Sequence, residues 1–180
     1  MELSIIVPTK NEHPSYLVKC LTTIINQTIK DYEVIIICDN NERNLDIIVD
    51  FCKKYTKLTY VINSHTGVAS ARNLGVKVSK GDYIAFADSD DFYALNKFED
   101  QINFLNLNNH ISVVGSNLYL IDDNNNIIGT RVYPQHHTDI KNAFLYNMPV
   151  ANPSITLRRS DFIDVGHFDA TYRKAEDLDL

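Results

Sequence analysis

Basic charge is what this 180-residue sequence is short of: 17 Lys and Arg stand against 23 Asp and Glu, a formal net charge of -6. A polyanionic backbone is held by a concentrated Lys/Arg surface, so the deficit excludes nucleic acid as the expected partner. Long apolar runs are also missing. No segment reaches the ~20 apolar residues that span a bilayer. The opening stretch to Pro8 lacks the basic start and uninterrupted apolar core of a secretory signal. The chain therefore reads as cytoplasmic, with peripheral contact at the inner face of a membrane left open. Cysteine is scarce, and Cys20, Cys38 and Cys52 form neither a Cys-x-x-Cys pair nor a zinc-like spacing. They read as reduced core thiols. The six histidines are scattered, and adjacent His136 and His137 would project in different directions from an extended segment, so a solvated loop is expected there. No internal repeat or low-complexity linker divides the chain. With 44% hydrophobic residues it has enough apolar material for one core, and one domain is expected.

What is present is a regular alternation. Leu3 to Val7 and Val34 to Cys38 are short β-branched apolar runs bounded by polar residues, the pattern of strands buried on both sheet faces. Between them Leu17, Cys20, Leu21 and Ile24 recur at helical spacing, with Pro14 suited to the first turn. Leu45, Ile48, Val49 and Cys52 predict a second helix, Leu58 to Ile62 a third strand, Val68, Ala71, Gly75 and Val78 a third helix, and Tyr83 to Ala87 a fourth strand. This is the rhythm of an α/β fold with an open, mostly parallel sheet, whose ligands sit at the carboxyl ends of the strands.

After Asp91 the rhythm changes. Phe98, Ile102 and Leu105 mark a helix, and Ser112 to Val114 and Leu118 to Ile121 read as strands. The polar run Asp122 to Asn126 reads as a hairpin turn before a return strand at Ile127 and Ile128. Asp139 is expected to cap a short helix containing Ile140, Phe144 and Leu145.

The chemistry concentrates in Phe86-Ala87-Asp88-Ser89-Asp90-Asp91, a carboxylate cluster directly after a buried strand. Carboxylates this close raise one another's pKa, and a divalent ion such as Mg²⁺ or Mn²⁺ relieves the repulsion while bridging to phosphates. Taken alone, the same cluster reads more readily as a loop whose Asp residues cap the next helix. Three other segments shift the balance: Pro8-Thr9-Lys10-Asn11-Glu12 after strand one, Asp39-Asn40-Asn41 after strand two, and Gly67 to Asn73 opening the third helix. Their convergence would form a nucleotide pocket at one sheet edge.

With these segments in order, the chain resembles family 2 glycosyltransferases of the nucleotide-diphospho-sugar transferase, or GT-A, fold. The matches are Ser4 to Glu12, Gly67 to Asn73 with Gly75, Gly81 to Asp91, and Gly166-His167-Phe168-Asp169 followed by Glu176-Asp177. The resemblance implies that residues 1–91 form the nucleotide-binding half and 92–180 a smaller, mixed acceptor-side half. By the same resemblance Pro8, Thr9 and Glu12 line the nucleoside side and Asp39 accepts a hydrogen bond from the base. Arg72 contacts the nucleotide, unless it only forms a surface ion pair; Asp88 lies near the ribose, Asp90 ligates the metal and Asp91 supports them. Asp177, with Glu176 beside it, is the implied general base. The implied reaction is an inverting transfer of a hexose or N-acetylhexosamine from a UDP-sugar to a glycan or lipid-linked glycan hydroxyl, in bacterial-type polysaccharide or lipopolysaccharide synthesis.

Two rivals remain at this level: a sugar-phosphate nucleotidyltransferase of related fold and a noncatalytic nucleotide- or glycan-binding module. The first usually carries a Gly-rich first loop, and Pro8 to Glu12 contains no glycine. The sequence departs from the family at Asn40 and Asn41, where Gly-Ser is common, and at His167, where Gly is common. Asn tolerates left-handed backbone, so Asn40 is expected to hold that turn. The chain ends at Leu180 inside an expected helix and reads as truncated on its acceptor side.

Overall fold

The computed structural model describes residues 1–65 and 67–171. Its first half alternates strand and helix: β1 (Leu3–Thr9), α1 (Pro14–Ile25), β2 (Tyr32–Asp39), α2 (Leu45–Lys54), β3 (Leu58–Asn63), α3 (Val68–Val78) and β4 (Tyr83–Phe86). Then come α4 (Lys97–Leu107), β5 (Val113–Val114), β6 (Leu118–Ile121), β7 (Ile127–Arg131) and α5 (His137–Ala143). A single 3-10 turn, β8 (Thr156–Arg158) and α6 (Arg159–Asp164) complete the described elements.

Six strands form one sheet in the order β3-β2-β1-β4-β8-β5. The first four are parallel, whereas β8 pairs antiparallel with both β4 and β5. The period-2 side-chain alternation of the central strands divides the core in two. Leu3, Ile5 and Val7, with Val34, Ile36 and Cys38, face α1 and α4 residues such as Leu17, Leu21, Phe98 and Ile102. Ile6, Ile35, Ile37, Ile84 and Phe86 face Ala69, Ala71, Val76, Phe162 and Phe168 on the other side. Helices on both faces explain why these strands read as unbroken apolar runs. On the second face α3 comes very close to the sheet: a Cβ added at Gly75 would stand 2.4 Å from Ile6 Cγ2.

The expected elements are found within a residue or two, and the differences have local causes. α5 is capped at His136, while Asp139 sits in its first turn, where a carboxylate is stabilised by the helix dipole without being the cap. The helix stops at Ala143, before Phe144 and Leu145. His136 and His137 are exposed as expected, but they begin a helix instead of lying in a loop. Cys20 and Cys38 are buried and free, whereas Cys52 on α2 is only partly buried. Positive φ among described non-glycine residues falls at Asn11, Asn125 and His167, not at Asn40. The turn after β2 is closed instead by Asp39, whose carboxylate accepts from Asn41 N (3.1 Å) and whose carbonyl accepts from Glu42 N (3.0 Å). His167, at φ 72°, occupies a backbone conformation suited to glycine.

Candidate active site

Parallel pairing in register brings the carboxyl ends of β1, β2 and β4 to one edge, where the chain must leave the sheet. The loops after β1 and β2 are stitched together there. Glu12 accepts hydrogen bonds from Thr9 Oγ1 (2.8 Å) and Lys10 N (2.7 Å). Glu42 accepts from Asn11 N (2.9 Å) and Asn44 N (2.9 Å). Asn11 Oδ1 accepts from Arg43 N (2.7 Å), and Asn44 Nδ2 donates to the Glu12 carbonyl (2.8 Å). The left-handed turn at Asn11 allows this exchange. Asp39 is nearly buried and pairs with the exposed Lys10 ammonium at 3.3 Å.

Across the edge, α3 begins at Gly67, whose φ of 108° suits glycine. One turn on, Arg72 is only 4% exposed and pairs with Asp88 at 3.2 Å. Its guanidinium lies over the rings of Phe86 (5.8 Å) and Phe168 (5.7 Å). Phe168 is placed by its neighbour on α3: Asn73 Nδ2 donates to the Phe168 carbonyl (2.7 Å), and Asn73 Oδ1 accepts from Phe168 N (3.1 Å). The Gly166 to Asp169 segment thus anchors the arginine that faces the acidic loop. Arg72 is no loose surface ion pair.

The acidic loop leaves β4 with Ala87 N still bonded to the Ile6 carbonyl (2.9 Å). Asp88 is half-buried, Ser89 buried and Asp90 exposed. Asp91 turns inward, where burial, then the charges of Asp88 and Asp90, push its pKa up to about 6 against the opposing pull of Lys97. Burial leads this shift, and the repulsion from Asp88 and Asp90 adds the part that a divalent cation would relieve.

A cavity of about 440 Å³ lies between these loops. Pro8, Thr9, Glu12, Asp39, Arg72, Asp88 and Asp90 all line it, with Lys10, Asn63 and Gly67 among the rest. A larger groove of about 650 Å³ on another flank of α3 is lined by His65, Lys77, Arg159 and His167 but by no carboxylate among the described residues. The smaller cavity therefore has the chemistry for a cation and a diphosphate. Among the described residues no three His, Cys, Asp or Glu side chains converge as a closed metal cage. One or two carboxylates with phosphate and water oxygens are the usual surroundings of Mg²⁺, so Asp88 and Asp90 fit such an open site.

Asp91 does not line the cavity, and Asp177 and Glu176 lie outside the described residues. Sequence reasoning missed the roles of Glu42 and of Asn73, the latter within the matched Gly67 to Asn73 segment, because their partners are 31 and 95 residues away. No helix among the described residues is long and apolar enough to cross a membrane.

The sequence profile described as glycosyl transferase family 2 matches residues 4–166. The Escherichia coli protein named UDP-Glc:alpha-D-GlcNAc-diphosphoundecaprenol beta-1,3-glucosyltransferase WfgD is 34% identical over 161 residues, covering 88% of this chain and 60% of that relative. The structure of S. aureus TarS 1-349 in complex with UDP-GlcNAc superposes with a TM-score of 0.75 at 22% identity, covering 99% of this chain and 51% of that one. The mannosyltransferase PcManGT of Pyrobaculum calidifontis, solved with GDP-Man and Mn2+, gives a TM-score of 0.72 at 14% identity, covering 98% of this chain and 50% of that one. The last two similarities establish a shared fold. The chain spans between half and two thirds of the length of each of these three proteins.

Proposed function

The chain belongs to glycosyl transferase family 2, and from that premise we propose that it binds a UDP-sugar in the cavity between β1, β2, α3 and the acidic loop and transfers the sugar to a hydroxyl acceptor with inversion. One observation carries the reading: seven residues singled out from four separate segments line a single cavity at the carboxyl edge of a parallel sheet. The UDP-glucose and the lipid-linked GlcNAc in the name of WfgD, and the UDP-GlcNAc bound by TarS, support a UDP-hexose or UDP-N-acetylhexosamine donor and a glycan or lipid-linked acceptor.

In this reading Asp39, beside Pro8 and Thr9, accepts from the base, and Asp88 meets the ribose while holding Arg72 toward the phosphates. Asp90, with Asp88 beside it, would hold Mn²⁺ or Mg²⁺, a reading supported by Mn2+ in PcManGT, and the bound cation would supply charge neutralisation at the departing diphosphate. The buried Arg72 guanidinium adds fixed positive charge on the opposite wall. Asp177, with Glu176 as its neighbour, removes the acceptor proton.

Calorimetry with UDP tests the donor half: affinity should be higher with Mn²⁺ than with EDTA, and Asp90→Ala should abolish the difference. Equal affinities in wild type would remove the metal role. Release of UDP from a panel of UDP-sugars identifies the donor. For the acceptor half, Asp177→Asn should lower turnover by ~10²–10⁴-fold without changing metal-dependent UDP affinity. If Glu176→Gln loses turnover while Asp177→Asn keeps it, the base is Glu176.

A further inference from the structure

Past Ala87 the acidic loop has left the sheet ladder, so something else must set its carboxylates in place. Its inner side rests on α1. Cys20 and Thr23 lie three residues apart on one face of that helix, and Gln27 follows just past its C-cap. Cys20 Sγ donates to the Asp88 carbonyl (3.4 Å). Thr23 Oγ1 accepts from Tyr93 N (3.2 Å). Gln27 Nε2 donates to the Ala94 carbonyl (2.8 Å), and Gln27 Oε1 accepts from Phe98 N at the start of α4 (3.4 Å). The backbone of Thr28 adds a bond to the Leu95 carbonyl (3.0 Å). One face of α1 and the two residues past its C-cap thus hold the chain from Asp88 to Phe98.

The contacts converge on the Asp88 carbonyl. It accepts from the Tyr93 hydroxyl at 3.1 Å, from Cys20 Sγ, and from Asp91 N at 3.2 Å. Tyr93 is 8% exposed, and its ring stacks on Phe98 with centroids 5.8 Å apart. It does not line the cavity. Its hydroxyl therefore holds one end of the Asp88–Ser89 peptide plane from behind, while the Asp88 carboxylate faces Arg72 in front. Because the same carbonyl also closes the turn onto Asp91 N, the orientation of that plane bears on where Asp90, inside the turn, presents its oxygens.

The geometry points to Tyr93 as a positioning residue for the diphosphate and cation site, with Cys20 as its lesser partner on the same carbonyl. This rests on the metal-dependent UDP binding proposed above. The Tyr93 hydroxyl has no step in the transfer; it acts on Asp88 and Asp90 through their backbone. Thiols are weak hydrogen-bond donors, so Tyr93 carries the larger share.

The test is UDP calorimetry on wild type, Tyr93→Phe, Cys20→Ala and Cys20→Ser, each with Mn²⁺ and with EDTA, beside the melting temperature of each protein. Tyr93→Phe keeps the stacked ring and removes only the hydroxyl. It should reduce the Mn²⁺-to-EDTA affinity ratio about three- to tenfold, the scale of one hydrogen bond, with EDTA affinity unchanged. Cys20→Ala should give a smaller reduction and Cys20→Ser, which restores a donor, should recover it. A wild-type Mn²⁺ effect that survives intact in Tyr93→Phe overturns the positioning role alone. So does a uniform loss of both affinities that tracks a lower melting temperature. Absence of any Mn²⁺ effect in wild type overturns the metal reading, and this inference with it.

Discussion

The parallel sheet and the β6–β7 hairpin are built from similar residues and meet opposite fates. In β1 and β2, Ile5, Ile6, Ile36 and Ile37 are entirely buried, because helices cover both faces of the sheet. In the hairpin, Tyr119 is 70% exposed, Ile127 62% and Ile128 69%, and just beyond α5 Leu145 is 75% and Tyr146 82% exposed. Among the described residues the hairpin pairs only with itself. At its tip it touches α1 through polar contacts, Lys19 Nζ to Asn125 Oδ1 at 2.7 Å and Tyr16 to Asp123 at 3.4 Å. Apolar composition makes a strand, but burial comes from layers on either side of it, and only the first region has both.

The sharpest way to break this comparison is one substitution made in both places. Ile5→Ala should cost about 2–5 kcal/mol, the range for emptying a buried aliphatic site, whereas Ile128→Ala should stay within about 0.5 kcal/mol. Urea unfolding midpoints check both. Comparable losses would mean that the hairpin face is packed in solution.

A buried charge supplies the next test. The Lys97 ammonium at the start of α4 makes no hydrogen bond among the described residues and lies 4.2 Å from the centre of the Phe98 ring. Burial lowers its pKa from 10.5 to about 7, against the opposing pull of Asp91. A lysine pKa lowered by folding means that the unfolded chain binds the proton more strongly. Stability is therefore lost as pH falls from about 10.5 to 7 and is level below. Between pH 7 and 8, where thiols stay largely protonated, unfolding free energy should rise by about 1 kcal/mol per pH unit from this group. Lys97→Met should raise the melting temperature at pH 7 and remove that slope, because the buried site then holds no titrating ammonium. A slope unchanged in Lys97→Met would assign it to other groups.

At the site edge, folding and binding are both expected to change. Arg72→Met keeps bulk beside Phe86 and Phe168 but removes the partner of Asp88. The stability cost should lie near the lower end of the ~1.5–3 kcal/mol of a charged hydrogen bond, since the Asp88 side chain is 36% exposed. UDP affinity should fall at least about tenfold, the equivalent of 1.4 kcal/mol. Loss of stability with full UDP affinity would leave Arg72 as a purely structural residue. The smallest change is Ile128→Lys, which should leave both the urea midpoint and UDP affinity unchanged within error, because its side chain is already 69% exposed.

Much of the frame follows from the sequence by itself. The apolar runs, the helical spacing of Leu17, Cys20, Leu21 and Ile24, and the polar turn at Asp122 to Asn126 are local signals, and each element they predict is present. The seven cavity residues were legible through the family resemblance: six lie at or shortly after the ends of β1, β2 and β4, which parallel pairing places side by side, and Arg72 lies on α3. The antiparallel β8, only three residues long, was not legible, because pairing between β4 and β5 makes it a strand. Only the tertiary structure could show that Arg72 is buried against Phe168, that Asn73 fixes Phe168 from 95 residues away, and that Tyr93 reaches back to the Asp88 carbonyl. Backbone preferences and side-chain periodicity act over a few residues, so they are written in the sequence. Ion pairs and hydrogen bonds between distant segments depend on which surfaces hydrophobic packing brings together, and that is decided only when the whole chain folds.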